Sequence, residues 1–403
     1  MNLIMEKKDH KDIGKEYGYY LNIGHNLPII LAKGAKVIQL LQRFVEDEEQ
    51  KRGFCSIKTP LFCDKKFMST SGHYEHYEHL IFPIEQNEDD SSLILRPVTC
   101  PFHFAVYNSE KHLYNNLPTG FFETTYLFRK CQSGELNGLY RMSQFTIADT
   151  HLICRKDQIE NELLSGIEYI CNFLDKLRLR NDVSFVLSAG NHAEGKYIGN
   201  AEDWKNAQEY LRNSLKNMYI DFSETTESAA FYAPKIDVVY NGLNNKKIAL
   251  FTIQLDFQLP SKCNMTYQDE FGKPQIPIVI HRSSVSCYER LLGVLLEKFQ
   301  GNMPFWLAPI QVQILQFNNA SPIYAENVEN ELSALGYRFC KKIIDKSEIS
   351  QQIKKAIKEK IHFIVTIGKK EVTENKISVR HCNNENVVMM SILDFIERLN
   401  DDK

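Results

Sequence analysis

The 403-residue chain has no long apolar run. Its start, Met1-Asn2-Leu3-Ile4-Met5-Glu6-Lys7-Lys8, shows no secretory signal, and no uncharged stretch approaches the roughly 20 residues needed to cross a bilayer, so no membrane is expected. It has no Cys-x-x-Cys pair, and its ten cysteines are irregularly spaced. A small disulfide framework is therefore not expected, and a reducing, cytoplasmic setting is. Internal repeats and low-complexity tracts are lacking too. So is any excess of one charge sign: a net charge of −3 rules out a globally basic nucleic-acid binder but leaves room for a local basic face.

What remains is ordinary globular composition, 43% hydrophobic and 25% charged, at a length that suggests two domains. Val37, Leu40, Leu41, Phe44 and Val45 follow helical spacing and predict a helix over 35–49, leading into a strand-like Phe54-Cys55-Ser56-Ile57-Lys58 and a turn at Pro60. Residues 121–129 and 139–145 read as two strands around a polar turn holding Gly134 and Gly138. Residues 158–177 read as an amphipathic helix and 247–259 as a central strand. Ser283 or Ser284 is expected to cap a helix that stops at Gly301. Strands and helices do not alternate regularly before residue 300, which favours an α+β arrangement with an antiparallel or mixed sheet. After Pro304 they do alternate: strands at 312–315, 337–344, 363–367 and 377–380, with helices opening at Ser321-Pro322, running through Lys360, and starting again at Ser391. That pattern predicts an α/β unit. The expected domains are 1–302 and 303–403.

Three distant residues, Cys100, His151 and His281, form a candidate zinc site. One thiolate and two imidazoles leave a fourth position open, as catalytic zinc requires. Each lies in a segment with a further chemical signature. Asp149 stands two residues before His151, so on a strand both side chains share one face. Asp149 can accept a hydrogen bond from a zinc-bound ligand, or it can only orient an imidazole. Arg129 and Arg141 bracket a Gly-containing turn and precede Phe145. Arginines so placed grip phosphate as forks and the aromatic stacks on a purine, although a plain surface hairpin explains the same spacing. Tyr288-Glu289-Arg290 offers a second nucleotide arginine, or one that snorkels or pairs with a carboxylate. His73, His76 and His79 lie within seven residues. That cluster reads as a polar surface loop, or as a general base titrating near neutral pH. Lys354, Lys355, Lys358, Lys360, Lys369, Lys370, Lys376 and Arg380 form a solvated basic face or an RNA contact.

These pieces occur in the order found in threonyl-tRNA synthetases, a family of class II aminoacyl-tRNA synthetases. The resemblance covers nearly the whole chain. It is carried by Pro97-Val98-Thr99-Cys100-Pro101, residues 145–151, Ala230-Phe231-Tyr232-Ala233-Pro234-Lys235-Ile236, Gln254-Leu255-Asp256-Phe257, Ile280-His281-Arg282 and Trp306-Leu307-Ala308-Pro309-Ile310-Gln311-Val312. It implies a class II antiparallel sheet with flanking helices, followed by an α/β anticodon-binding domain, in a homodimer joined near the helix from Ala35 and the turn at Pro60. It implies one zinc ion per subunit on Cys100, His151 and His281, and Mg²⁺ with ATP. The implied substrates are L-threonine, ATP and a threonine tRNA. Asp149, Tyr232 and Gln254 would bind threonine. Arg129, Arg141, Phe145 and Arg290 would bind ATP, with Arg129 and Arg290 catalytic. His73 would assist acyl transfer, and Glu371 and Arg380 would read the anticodon. Because the chain opens at the catalytic core, the resemblance also implies a truncated form without N-terminal editing domains.

The nucleotide pocket departs from the family pattern. Cys131 stands in place of a glutamate that reads the adenine amino group, Ser286-Cys287 replaces Gly-Ser, and Ala249-Leu250-Phe251 replaces Gln-Cys-Gly. Ile147 replaces a glutamine, and Cys-Pro-Gly-His becomes Cys100-Pro101-Phe102-His103. The expected activity is threonine–tRNA ligation. The alternatives are a paralogue that passes threonine to an acceptor other than tRNA, or a non-catalytic RNA-binding regulator.

Overall fold

A computed structural model describes residues 7–401 apart from 25–26, 87–91, 133, 135–136, 191–196, 244–245, 383 and 385. Ser133, Glu135 and Leu136 of the expected turn, and the first residues of the expected signal-free start, lie outside the described residues. Packing divides the chain into two units. One comprises Asn22–Ile29 and Leu41–Val294; the other comprises Met1–Leu21, Ile30–Leu40 and Leu295–Lys403.

The first unit is built on an eight-stranded sheet. Its strands are β1 (Cys55–Ser56), β2 (Thr119–Phe128), β3 (Gln144–Cys154), β4 (Val183–Ser188), β5 (Phe222–Thr225), β6 (Lys235–Asn241), β7 (Lys247–Asp256) and β8 (Ile278–Val285). Their order is β5-β4-β6-β7-β8-β3-β2-β1. The six inner strands pair antiparallel, while the short edges β5 and β1 pair parallel to β4 and β2. β3 and β8 are buried along most of their length, as central strands with both faces covered must be. Helix α1 (Ala32–Lys51) extends the predicted 35–49 segment at both ends. Helix α2 (Cys100–Asn108) carries Pro101 in its first turn, where the missing N–H would have no partner. Helix α3 (Ile159–Lys176) buries Leu163, Ile167, Ile170 and Leu174 at helical spacing.

Two expectations give way in this unit. Residues 139–142 are not a strand: Gly138 turns at φ +54°, and Leu139, Tyr140 and Met142 are buried in an irregular segment before β3 begins. Their apolar character serves packing rather than pairing; Tyr140 lies so close to Gly293 that a Cβ there would stand 3.0 Å from its ring. Nor do Ser283 and Ser284 cap a helix. They lie inside β8, where Ser283 Oγ faces Asp149 and Ser284 Oγ donates to Glu49. The helix α4 (Tyr288–Phe299) starts later, with Cys287 Sγ accepting the Arg290 N–H in the capping role.

In the second unit the mixed sheet order is β10-β9-β11-β12-β13, from β9 (Val312–Phe317), β10 (Phe339–Ile344), β11 (Phe363–Ile367), β12 (Ile377–His381) and β13 (Val387–Met390). β9 pairs parallel with β10 and β11, and β12 and β13 continue antiparallel. Ser321 caps the helix Pro322–Ala334 through its hydroxyl, as its sequence predicts. Among the described residues no helix is long and apolar enough to cross a membrane.

On the face of β8 opposite His281, buried Arg282 donates to buried Glu49 and stacks beside buried Tyr169 and half-buried Phe54. A buried pair missing one member leaves an unsolvated charge, so Glu49→Ala should destabilise this unit by about 3–5 kcal/mol. Urea unfolding followed through Trp204, in a Trp306→Phe background, measures the change; a loss below about 1 kcal/mol would contradict the pairing.

Candidate active site and metal centre

Strand register assembles the site. His281 on β8 lies opposite His151 on β3 and opposite Gln254 on β7, and Ser283 lies opposite Asp149. Because side chains alternate along a strand, Phe145, Ile147, Asp149 and His151 share one face with His281, Ser283, Gln254 and Thr252. Cys100, at the first position of α2, completes a group in which the sulfur and one nitrogen of each imidazole lie within 4.8 Å of one another. All three residues are buried.

The donor set fits a zinc ion. Nε2 of His151 and Nδ1 of His281 are buried and have no hydrogen-bond partner. Each ring has its other nitrogen engaged: His281 Nε2 faces Asp256 Oδ2 at 2.9 Å, and His151 Nδ1 faces His103 Nδ1 at 2.9 Å. Asp256 is held in turn by the N–H groups of Gln258 and Leu259. Orphaned imidazole nitrogens with oriented rings are what a metal centre needs. Burial pushes the Cys100 thiol well above its ordinary pKa and the His151 imidazole well below its own. A bound cation would offset both costs by stabilising thiolate and neutral imidazole. Ligand–ligand edges in a tetrahedral zinc site are about 3.3–3.8 Å, which the group approaches.

Beside this group lies a cavity of about 80 Å³ bounded by Asp149, Tyr232, Gln254, Arg129 and Ser283. Tyr232 donates to Gln254 at 2.6 Å. Thr99 donates to Asp149 Oδ2, and burial raises the Asp149 pKa. A larger cavity of about 350 Å³ is lined by Arg129, Arg141, Phe145 and Arg290. Arg129 Nε donates to the Pro97 carbonyl, and its guanidinium lies 5.4 Å from the Phe145 ring centroid. Arg290 donates to the carbonyls of Tyr140 and Ala249. Burial lowers the Arg129 pKa, and the charges of Arg141 and Arg290 lower it further, so the pocket concentrates positive charge. Such a pocket suits a polyanion.

The sequence-derived residues of the first unit therefore meet, with exceptions of role. The 71–79 segment is not a surface loop. His73 is fully buried in the short helix His73–Tyr77, bonded to Ser71 and packed on Phe231 and Tyr232. Burial, then neighbouring positive charges, pushes its pKa down to about 3, so it is neutral across the physiological range and does not titrate near neutrality. Arg290 bonds backbone carbonyls, and among the described residues no carboxylate pairs with it. In the second unit, Glu371 accepts the Gly368 N–H and the Ser378 hydroxyl, and Arg380 carries a buried Nε without a partner. Sequence reasoning gave no role to Glu289, Thr99 or Asp256. Glu289 is buried and takes both the N–H and the hydroxyl of Thr146, which fixes α4 on β3 and aims Arg290. Its adjacency to Arg290 was the available signal.

Against this geometry, comparisons are informative. A tRNA synthetase class II core domain (G, H, P, S and T) matches residues 82–299, and an anticodon binding domain matches 311–402. The chain belongs to the class II tRNA synthetase family. It is 39% identical over 401 residues to a threonine–tRNA ligase of Clostridium perfringens and 34% identical over 400 residues to one of Halalkalibacterium halodurans, covering 98% of this chain in both cases. The chain spans 62% and 61% of the length of those relatives. A crystal structure of the RNA binding domain of threonyl-tRNA synthetase from Cryptosporidium parvum matches with a TM-score of 0.89 at 26% identity, covering 98% of each chain. The predicted core and anticodon-binding fold is thus borne out.

Glu289→Ala removes the acceptor for two buried donors on Thr146. It should cost about 3 kcal/mol and speed hydrogen exchange at the Thr146 amide. Unchanged protection of that amide would show that Glu289 does not hold β3.

Proposed function

We propose that the protein is a threonine–tRNA ligase that activates L-threonine with ATP and transfers it to the 3′ end of a threonine tRNA. The observation that supports this best is the meeting of Cys100, His151 and His281 beside a cavity bounded by Asp149, Tyr232 and Gln254. Cys100, His151 and His281 would hold one zinc ion, which supplies a Lewis-acidic site for the amino and hydroxyl groups of threonine. Asp149 accepts the substrate hydroxyl's hydrogen bond. Valine matches threonine in size but offers no oxygen to the metal and no hydroxyl proton to Asp149. Tyr232 and Gln254 close the pocket.

In the neighbouring cavity Phe145 supports the adenine ring. Arg129 binds the α-phosphate and the threonine carboxylate, which brings nucleophile and phosphorus together. Arg141 and Arg290 hold the outer phosphates with Mg²⁺ and offset the charge that grows on pyrophosphate as it leaves. The carboxylate oxygen attacks the α-phosphorus in line, the bond to the bridging oxygen breaks, and pyrophosphate departs. The terminal ribose hydroxyl of the tRNA then attacks the acyl carbon and AMP leaves. His73, neutral with its buried Nε2 unpartnered, would accept a hydrogen bond in this second step and orient the attacking hydroxyl rather than hold its proton.

Residues 1–302 are the proposed catalytic domain and 303–403 the proposed anticodon-binding domain, with Glu371 and Arg380 facing the anticodon. Ser378 and Arg380 share one face of β12, and Glu371 bonds Ser378, which puts the two readers on one side. The exposed Ile23, Leu27 and Ile29 support a homodimer. Ten free thiols suit a reducing cytoplasm.

Threonine-dependent pyrophosphate–ATP exchange, followed by charging of threonine tRNA, tests the proposal. Valine should support exchange roughly 10⁴-fold less well. Arg129→Ala should lower kcat/KM by about 10²–10³-fold. No exchange at saturating threonine and ATP would reject the activity. Exchange without charging would favour another acceptor.

Cys131→Glu should raise kcat/KM for ATP by roughly 10–100-fold, since a charge-assisted bond to the adenine amino group is worth about 1.5–3 kcal/mol. No gain would mean that the base is held in some other way.

A further inference from the structure

We propose that His103 is a positioning residue of the metal centre: it accepts the Nδ1–H of His151 and turns its own Nε2–H toward Glu123, leaving Nε2 of His151 as that ring's ligand atom. This rests on the zinc reading above. His103 shares a face of α2 with Cys100, three residues away, so one helix supplies both a ligand and the support for another.

Two ring nitrogens 2.9 Å apart cannot both donate or both accept. If His151 accepted at Nδ1, its proton would sit on Nε2, buried and without an acceptor, and that atom could not ligate. If His151 donates, Nε2 presents a lone pair to the cluster. His103 then accepts at Nδ1 and carries its proton on Nε2, which lies 3.6 Å from Glu123 Oε2 with no closer partner. Glu123 is itself fixed by the Thr59 N–H and hydroxyl, each at 2.8 Å, and by Arg96 at 3.4 Å. Only this second assignment leaves Nε2 of His151 free of a proton and aims the Nε2–H of His103 at a carboxylate, 3.6 Å away and longer than a hydrogen bond. It makes the His151 arm a longer version of the His281 arm, where Asp256 acts directly. His103 and Glu123 are both buried, so water does not substitute for either.

Zinc affinity by chelator competition and the absorption spectrum of the Co²⁺-substituted protein test the proposal on full-length parent, His103→Leu and His103→Asn. The leucine removes the acceptor; the asparagine oxygen restores one near the Nδ1 position. Leucine should weaken zinc binding by about 10–100-fold and alter the Co²⁺ bands, and asparagine should recover most of the affinity. A leucine variant within twofold of the parent overturns the proposal, and so does an asparagine variant as weak as leucine. A parent that binds no metal sinks the zinc reading itself, and the inference with it. Should the variants not fold, long-range ¹H–¹⁵N spectra of the zinc-loaded parent decide: His151 protonated at Nδ1 and His103 at Nε2 is expected, and His103 protonated at Nδ1 overturns the assignment.

Discussion

The pairing register between β3 and β8 is the constraint on which the rest of the site depends. Side chains alternate with a period of two, so a slip of one residue would turn His151 and His281 to the far side of the sheet and bring Thr150 and Arg282 to the near side. Both faces resist that slip. On the near face are two imidazoles with oriented, buried nitrogens; on the far face, Arg282 is matched to Glu49 between Phe54 and Tyr169. Moving either face alone is impossible, because one backbone carries both. The ion pair, remote from the chemistry, thereby helps to hold the ligand geometry.

A second constraint is how charge is distributed over the same sheet. Acidic groups on the sheet around Cys100, His151 and His281 are already engaged: Asp256 with His281, Glu123 with Thr59 and Arg96, and Glu289 with Thr146. The described hydrogen bonds of Arg129 and Arg290 go instead to backbone carbonyls of Pro97, Tyr140 and Ala249, which orient a guanidinium without cancelling its charge. The arginines are positioned before any phosphate arrives and lose little freedom when it does. Burial opposes clustered cations, as the lowered Arg129 pKa shows, and a polyanionic ligand relieves that opposition.

The sequence was legible where local pattern and chemistry coincide. Residues 158–177, 247–259 and 363–367 lie within a residue or three of observed elements, since each has one clear period and a clean stop. Cys100, His151 and His281 could be singled out because few residue types ligate metal. The misreadings came from tertiary use of locally ambiguous residues. Leu139 and Tyr140 look like strand but pack on α4, and Ser283 and Ser284 look like caps but serve acids across the sheet. His103 and Glu123 carried no signal of partnership, because what joins them is the approach of a helix to β2, not spacing along the chain.

The departures in the nucleotide pocket differ in physical kind. Cys287 keeps a structural duty: its sulfur accepts the Arg290 N–H at the start of α4 and its thiol faces Glu289, so a softer group does the work of a hydroxyl cap. Burial holds that thiol protonated, which suits a cap and not a nucleophile. Cys131 is another matter. Its sulfur contacts the carbonyls of Arg129 and Met142 at 3.7 Å, and its thiol stabilises the turn rather than a base edge. The first change conserves the aim of Arg290; the second takes away an acceptor and supplies nothing equivalent. On the proposed function, the first change spares the guanidinium that faces the phosphates and the second removes only an acceptor for the base, which predicts weaker discrimination of the nucleotide rather than loss of the pocket.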